Sequence, residues 1–170
     1  MSSVAEVYET MSYGPAPESA APAVEWLERH GRRFGQFIDG AWTAPGEERL
    51  FASINPANRQ QLAEITQAND EEVAAAVAAA KRAFPAWSGL SGHARARYLY
   101  AIARQIQKHS RMLAVLETLD NGKPIRETRD IDVPLVARHF YYHAGWAQMM
   151  ARELPGYQPL GAVGQIIPWN

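Results

Sequence analysis

The spacing of hydrophobic and polar residues changes along the chain, and the first part has the pattern of short strands. In QFIDGAW (36–42) apolar residues flank an Asp-Gly pair, which is typical of a tight β-hairpin. LFASINP (50–56) and LAEITQA (62–68) alternate well enough to predict two further strands, joined by a turn at Pro56. Together these segments predict a small antiparallel unit.

From Asn69 onward the apolar residues follow a helical period, which predicts three long helices. The first covers 69–84, with a capping amide or carboxylate at its start, acidic residues in its first turn and Pro85 beyond its end. The second runs from about 91 to 119 with a break near 109–110. The third covers roughly 126–152 and carries a wide stripe of aromatic residues.

The N-terminal part has a different character. Residues 1–20 contain glycine and two prolines without periodicity, so we expect a mostly extended segment. APAVEWLERHG (21–31) then predicts a short helix, with Pro22 in its first turn and Gly31 at its end.

The last segment, AVGQIIPW (162–169), is apolar on both faces. This pattern predicts a strand covered by helices on two sides, as in a parallel sheet. A parallel strand needs neighbours, and none of the earlier strands supplies them. We therefore expect these residues to be one portion of a larger α/β domain.

Composition excludes several classes of function. The chain has 170 residues, 47% hydrophobic and 21% charged, which suits a globular domain. Its 17 basic and 18 acidic residues give a formal net charge of −1, so no global attraction to nucleic acid or anionic membrane follows. There is no cysteine and no apolar run of membrane-spanning length. The first residues lack the pattern of a targeting peptide. We expect a cytoplasmic protein without nucleic-acid or membrane partners.

Two local clusters have both a functional and a structural interpretation. Seven Lys or Arg residues and no acid lie between Val73 and Leu116. A nucleic-acid patch is one interpretation, but the acidic cluster that follows favours complementary helix faces. A solvated helix face is the better interpretation of the run. His139 and His143 have a spacing that could hold a metal ion. Their aromatic surroundings favour packing in the core, so we expect no metal site.

Asn170 follows the predicted parallel strand directly. In open α/β sheets, ligands bind beyond the carboxyl ends of the strands, where an amide could donate a hydrogen bond to a substrate oxygen. By position alone, an asparagine that caps the loop is the better interpretation.

Several motifs together resemble the aldehyde dehydrogenase superfamily, and the similarity runs from about 36 to 170. They are FIDGAW, INPANRQQLAEI, AAAKRAFPAW, LETLDNGKP, HAGWA and, above all, GQIIPWN. The resemblance implies an α/β fold: the N-terminal part of the Rossmann-like NAD(P)-binding domain, with a small antiparallel unit and three helices. Residues 1–35 would be an N-terminal extension, and 36–170 an incomplete cofactor-binding domain without the catalytic domain.

The resemblance also implies a chemistry. Enzymes of this family oxidise an aldehyde to a carboxylic acid with NAD or NADP, through a thiohemiacetal on a cysteine. Ile166, Ile167, Pro168 and Trp169 would line the cofactor cleft. Asn170 would donate its side-chain amide to the oxyanion of the thiohemiacetal, a task that suits a fixed neutral donor.

The other functional residues of the family would lie outside these 170 residues. The chain alone should therefore be inactive. A non-catalytic scaffold or interaction module of the same fold is the alternative function. The long extension and the short link after Trp146 resemble the sixteenth family, whose chains continue into a second aldehyde-dehydrogenase-like region. That link lacks the pattern of a β-arm, so we expect a homodimer that acts on a small-molecule aldehyde.

Overall fold

A computed structural model describes residues 3–10, 19–43 and 49–167. In chain order the elements are α1 (Val4–Thr10), α2 (Ala21–Arg29), β1 (Arg33–Phe34), β2 (Phe37–Ile38), β3 (Ala41–Trp42), β4 (Leu50–Ile54), β5 (Gln61–Thr66), α3 (Asp70–Ser88), α4 (Gly92–Lys108), α5 (Ser110–Asn121), α6 (Ile125–Glu127), a π-helical turn (Thr128–Asp132) and α7 (Val133–Glu153). In these parts of the chain, no helix combines the length and the hydropathy needed to cross a bilayer.

The predicted hairpin is confirmed. β2 and β3 pair antiparallel. Asp39 and Gly40 both have positive φ, +55° and +80°. These values match a type I′ turn, whose twist suits a two-residue connection and whose φ angles favour an Asp-Gly pair.

The strands do not form one antiparallel unit, so that prediction needs correction. β2 and β3 form their own two-stranded sheet, and the other strands form a mixed sheet in the order β1-β5-β4. β4 and β5 are antiparallel as predicted, whereas β1 lies parallel to β5. The Arg33 side chain pairs with Glu64 across this parallel contact at 2.7 Å. A two-residue strand has no period that the sequence could show.

α3 begins as predicted and ends later than predicted. The Asn69 side chain accepts a hydrogen bond from the Glu72 backbone, and the Glu72 carboxylate accepts one from the Asn69 backbone, which closes a capping box. The Glu72 carboxylate also binds Arg49 at 3.0 Å, which ties α3 to the start of β4. The helix continues through Pro85 to Ser88, so proline did not end it.

The main helical contact is between α4 and α7. Ala96, Ala144 and Ala147 are buried where these helices meet, with Leu99 and Tyr100 packed against them. Small side chains allow the two backbones to approach closely. The predicted break of the second helix is confirmed, because α4 ends at Lys108 and α5 begins at Ser110.

The aromatic stripe of α7 is partly buried, so the interpretation of its aromatic residues as packing is confirmed in part. The buried residues of α7 are Val133, Ala137, Ala144 and Ala147. Tyr142 is 61% exposed, and both His139 and His143 are exposed. Close packing on α4 buries the alanine face most deeply, while Phe140, Tyr141 and Trp146 are half-buried. The Tyr141 ring also contacts the Tyr100 ring of α4.

The N-terminal segment contains more helix than predicted. α1 occupies Val4–Thr10, where we expected extended chain, and residues 11–18 lie outside the described parts. The helix predicted over 21–31 is confirmed as α2, whose Ala23 and Leu27 are buried. α2 packs on α5, and β1 follows it directly.

Candidate functional site

The segment that carries the candidate site residues follows α7 without regular secondary structure. The sequence predicted a buried strand over 162–169, and this is wrong for 162–167. The last backbone hydrogen bond before this stretch runs from Tyr157 N–H to the Leu154 carbonyl. A strand is stable only when neighbours satisfy its backbone, and no described strand lies beside 158–167.

The described candidate residues of the cofactor cleft are exposed. Ile166 is 95% exposed and Ile167 is 69% exposed. Pro168, Trp169 and Asn170 lie outside the described residues. Consequently, the described parts of the chain do not bring the predicted site residues together. The assignment of cofactor binding and catalysis to these five residues stays a prediction.

The turn after α5 is held by local contacts of the LETLDNGKP segment. Gly122 has a φ of +81°, and a side chain there would also meet the Pro56 ring. The Asn121 side chain accepts a hydrogen bond from the Lys123 backbone at 2.7 Å. Thr118 and Thr128 join their hydroxyls at 2.9 Å, which connects α5 to the π-helical turn. Glycine here serves both the left-handed C-cap and the close approach.

A cluster of charged groups lies beside this turn. The Lys123 ammonium contacts the Asp132 carboxylate at 2.6 Å, and this contact raises the pKa of Lys123. Burial raises the pKa of Glu117, and the nearby Asp132 carboxylate raises it further. No local sequence pattern indicated this cluster, because its members come from α5, the turn and the π-helical segment. The only signal was the acidic composition of the region.

An apolar groove of about 540 Å³ runs between the mixed sheet and α5. Its charged end is formed by Glu117 and Asp120, and Ser53 donates a hydrogen bond to Asp120 at 2.5 Å. The apolar part is lined by Leu27, Phe34, Phe51, Leu62, Ala63, Ile65 and Leu116. The walls of the groove are therefore formed by the mixed sheet, the N-terminal segment and the end of α5.

The structure allows a comparison with the interpretations of the basic run and of the histidine pair. Glu117, Asp130 and Asp132 interact with near neighbours, so the acidic cluster does not present a complementary face to the basic helix. Among the described residues, no group of three or more His, Asp or Glu could hold a metal ion.

Comparison with known proteins decides the family. The model of the aldehyde dehydrogenase family matches residues 42–170, which is more than half of the chain. The chain belongs to the aldehyde dehydrogenase family. Its fold is accordingly α/β, a part of the aldehyde dehydrogenase fold, which confirms the predicted fold class.

Two individual relatives match the chain with the same identity and over the same share of its length. An acetaldehyde dehydrogenase of Pseudomonas aeruginosa is 39% identical over 148 residues, covering 81% of this chain and 29% of the relative. A fluoroacetaldehyde dehydrogenase of Streptantibioticus cattleyicolor has the same identity and coverage. The chain thus spans about three-tenths of the length of the curated relatives it matches.

Solved structures give the same picture. HpcC from Thermus thermophilus superposes with a TM-score of 0.69 at 33% identity, covering 75% of this chain and 25% of HpcC. A betaine aldehyde dehydrogenase variant from Staphylococcus aureus, solved in complex with NAD+, has a TM-score of 0.67 at 34% identity. That match covers 74% of this chain and 25% of the dehydrogenase.

Proposed function

We propose that these residues are part of an enzyme that oxidises a small-molecule aldehyde to a carboxylic acid with NAD or NADP. The uninterrupted family match over residues 42–170 is the observation that carries this proposal. Relatives named as acetaldehyde and fluoroacetaldehyde dehydrogenases support aldehyde as the substrate class. Neighbouring structures solved with NAD+ support the cofactor.

In this proposal residues 36–170 form an incomplete cofactor-binding domain, and residues 1–35 form an extension before it. Ile166, Ile167, Pro168 and Trp169 line the cofactor cleft. The described pair fits this role chemically, because Ile166 and Ile167 offer uncovered apolar side chains to a flat ring. The cofactor, when bound, accepts the hydride that leaves the substrate carbon.

Asn170 is the proposed catalytic residue of this segment. Its neutral side-chain amide would donate a hydrogen bond to the oxygen that becomes negative when a thiolate attacks the aldehyde carbon. A carboxylate at this position would repel the charge, and a flexible ammonium would be poorly preorganised. The thiolate would come from outside residues 1–170, because these contain no cysteine. Residues 1–170 alone would then be inactive.

The replacement Asn170→Ala tests this role in the full polypeptide. We expect turnover to fall by roughly 10²–10³, the range for losing one oxyanion-hole donor. The dissociation constant of NAD should stay within about twofold, because the amide faces the substrate oxygen. Steady-state kinetics and cofactor titration measure the two quantities. Near-normal turnover in an assay limited by chemistry would make Asn170 a structural cap, and a folded polypeptide without any activity would favour the scaffold function.

We also propose a homodimer in the cytoplasm. The dimer is supported by the segment after α7, which contains Pro155, Gly156 and Pro159 and no described strand. A projecting β-arm, the device of the family's tetramers, is disfavoured there because proline removes a ladder donor.

A further inference from the structure

A small pocket lies between α2, β1 and the end of the β2–β3 hairpin, and its volume is about 270 Å³. Most of its side-chain wall is aromatic and consists of Trp26, His30, Phe34 and Trp42. Trp26 and Phe34 are half-buried, whereas His30 and Trp42 are exposed. The pocket shares no described residue with the candidate cofactor cleft, so the function proposed above assigns it no role.

One wall of the pocket consists of three rings that pack on one another. The Trp26 and Phe34 rings are stacked, with 5.4 Å between their centroids and 12° between their planes. The His30 ring lies 4.3 Å from the Trp26 ring and 5.9 Å from the Phe34 ring. The His30 Nδ1–H donates a hydrogen bond to the Trp26 carbonyl at 2.7 Å, which fixes the imidazole. The three rings therefore hold one another in place as a continuous aromatic wall.

The other wall comes from the hairpin. Trp42 is 69% exposed, and its ring contacts the Phe37 ring at 5.3 Å. Within the described parts of the chain, Trp42 contacts no ring of the first wall, so the space between the two walls is open. The Thr43 hydroxyl accepts a hydrogen bond from the Gln36 backbone, and a Cβ atom at Gly35 would collide with the Thr43 carbonyl oxygen. These contacts fix the end of the hairpin against β1, and a pocket formed in advance lowers the cost of binding.

We propose that this pocket binds a small uncharged molecule with an aromatic ring. The ring faces of its walls offer stacking in addition to the burial of apolar surface. Its volume suits a molecule smaller than the ligands of larger pockets. No acidic residue lines the pocket, which disfavours a cationic ligand. Arg33 also lines it, but the guanidinium already pairs with Glu64 at 2.7 Å, so an anionic ligand gains less from its charge.

A ligand is favoured over another segment of a longer polypeptide as the occupant of the pocket. Trp26, His30 and Phe34 all precede residues 42–170, which the family model matches. A wall built before the matched region is not a surface that the family shares, so no segment common to the family is expected on it. The inference is independent of the proposed enzymatic activity, because binding in this pocket needs neither an aldehyde nor NAD.

Phenol and cyclohexanol test the class of ligand in the full polypeptide. Both are uncharged six-membered rings with one hydroxyl, so they differ mainly in aromatic character. Titration followed by ligand-observed NMR gives the dissociation constant of each probe. We expect saturable binding of phenol and a dissociation constant at least about threefold higher for cyclohexanol, because stacking needs an aromatic face.

Two variants locate the binding. Trp42→Ala and His30→Ala change opposite walls at exposed positions, and each should raise the dissociation constant of phenol at least about threefold. Trp87→Ala is the matched control, because Trp87 is 42% exposed on α3 and does not line the pocket. It should leave the dissociation constant within about twofold. Circular dichroism checks that each variant is folded.

Each outcome decides for or against the pocket. Weaker phenol binding in either pocket variant, with the control unchanged, supports the proposal. Absence of saturable phenol binding in the folded polypeptide overturns it, and a pocket filled by another segment would give this result. Equal affinity for cyclohexanol overturns the aromatic class of ligand. Equal weakening by Trp87→Ala, or no weakening by either pocket variant, also overturns the proposal, since phenol would then bind elsewhere. Aldehyde oxidation is measured separately, so its failure and the failure of this proposal are distinguishable.

Discussion

Gly92 shows how a single residue sets the distance between two helices. A Cβ atom at this position in α4 would lie 2.2 Å from the Ala147 carbonyl oxygen of α7. Backbone atoms cannot yield as the end of a side chain can, so Gly92→Ala should push the helices apart. We expect a loss of about 1–3 kcal/mol in the free energy of unfolding, as for other overpacked sites.

Gly145→Ala is the matched control for this prediction. Gly145 lies in α7 within the same helix pair, and a Cβ there would meet nothing within 4 Å. Alanine is a better helix former than glycine, so this variant should be neutral or more stable by up to about 1 kcal/mol. Denaturant unfolding of the full polypeptide with both variants measures the difference. Equal effects of the two substitutions would contradict the close approach at Gly92.

At the scale of elements, the junction of α5 and the π-helical turn predicts a pH dependence. Burial raises the pKa of Glu117 above its ordinary 4.5, and Asp132 raises it further. A carboxyl whose folded pKa is raised is most favourable to folding below its unfolded pKa. Its contribution to the free energy of unfolding is then lost as the pH rises through the folded pKa, because the carboxyl ionises in surroundings that disfavour its charge. This junction should therefore weaken from about pH 4.5 upward.

Glu117→Gln should remove this loss while it keeps the size of the side chain. The variant should be more stable than the natural sequence near neutral pH, and the difference should shrink toward acidic pH. Unfolding measured between about pH 4 and pH 7 gives the comparison. Glu71→Gln, which changes an exposed carboxyl in the first turn of α3, is the control. If both variants had the same pH profile, Glu117 would not be the titrating group.

Local elements were predictable from the sequence, and pairing between distant segments was not. The Asp39-Gly40 turn and the cap of α3 are both formed by residues that are near neighbours in the sequence, so both were predicted. The sequence predicted an amide or a carboxylate as the cap, and the structure shows that it is the Asn69 amide. α1 was missed, although Ser3 and Glu6 have the spacing of a capping box. The parallel pairing of β1 depends on β5, about thirty residues away, and left no periodic signal.

The candidate site shows the same limit more strongly. The apolar run over 162–167 predicted a strand, but a strand also needs partners for its backbone, and these residues have none among the described elements. The contact between Thr118 and Thr128 joins α5 to the π-helical turn, and no local pattern indicates it. The predicted role of Asn170 came from the resemblance of the whole GQIIPWN motif and not from the position of Asn170 alone.

At the scale of the whole molecule, the link after α7 predicts how the polypeptide assembles. Residues 154–160 contain no strand, and Gly156 has a φ of +83°. Without a β-arm, the full polypeptide should be a dimer and not a tetramer. Light scattering at several concentrations tests this. A tetramer that persists on dilution would show that another surface joins the subunits.

Membership of residues 1–170 in an aldehyde-oxidising enzyme is the central claim. The most direct measurement follows the consumption of acetaldehyde by the full polypeptide in the presence of NAD or NADP. It quantifies the carboxylic acid and the reduced cofactor in the same reaction. We predict one acid and one reduced cofactor for each aldehyde consumed, and no turnover by residues 1–170 alone. A folded full polypeptide that binds neither cofactor and consumes none of a series of aldehydes would contradict this claim.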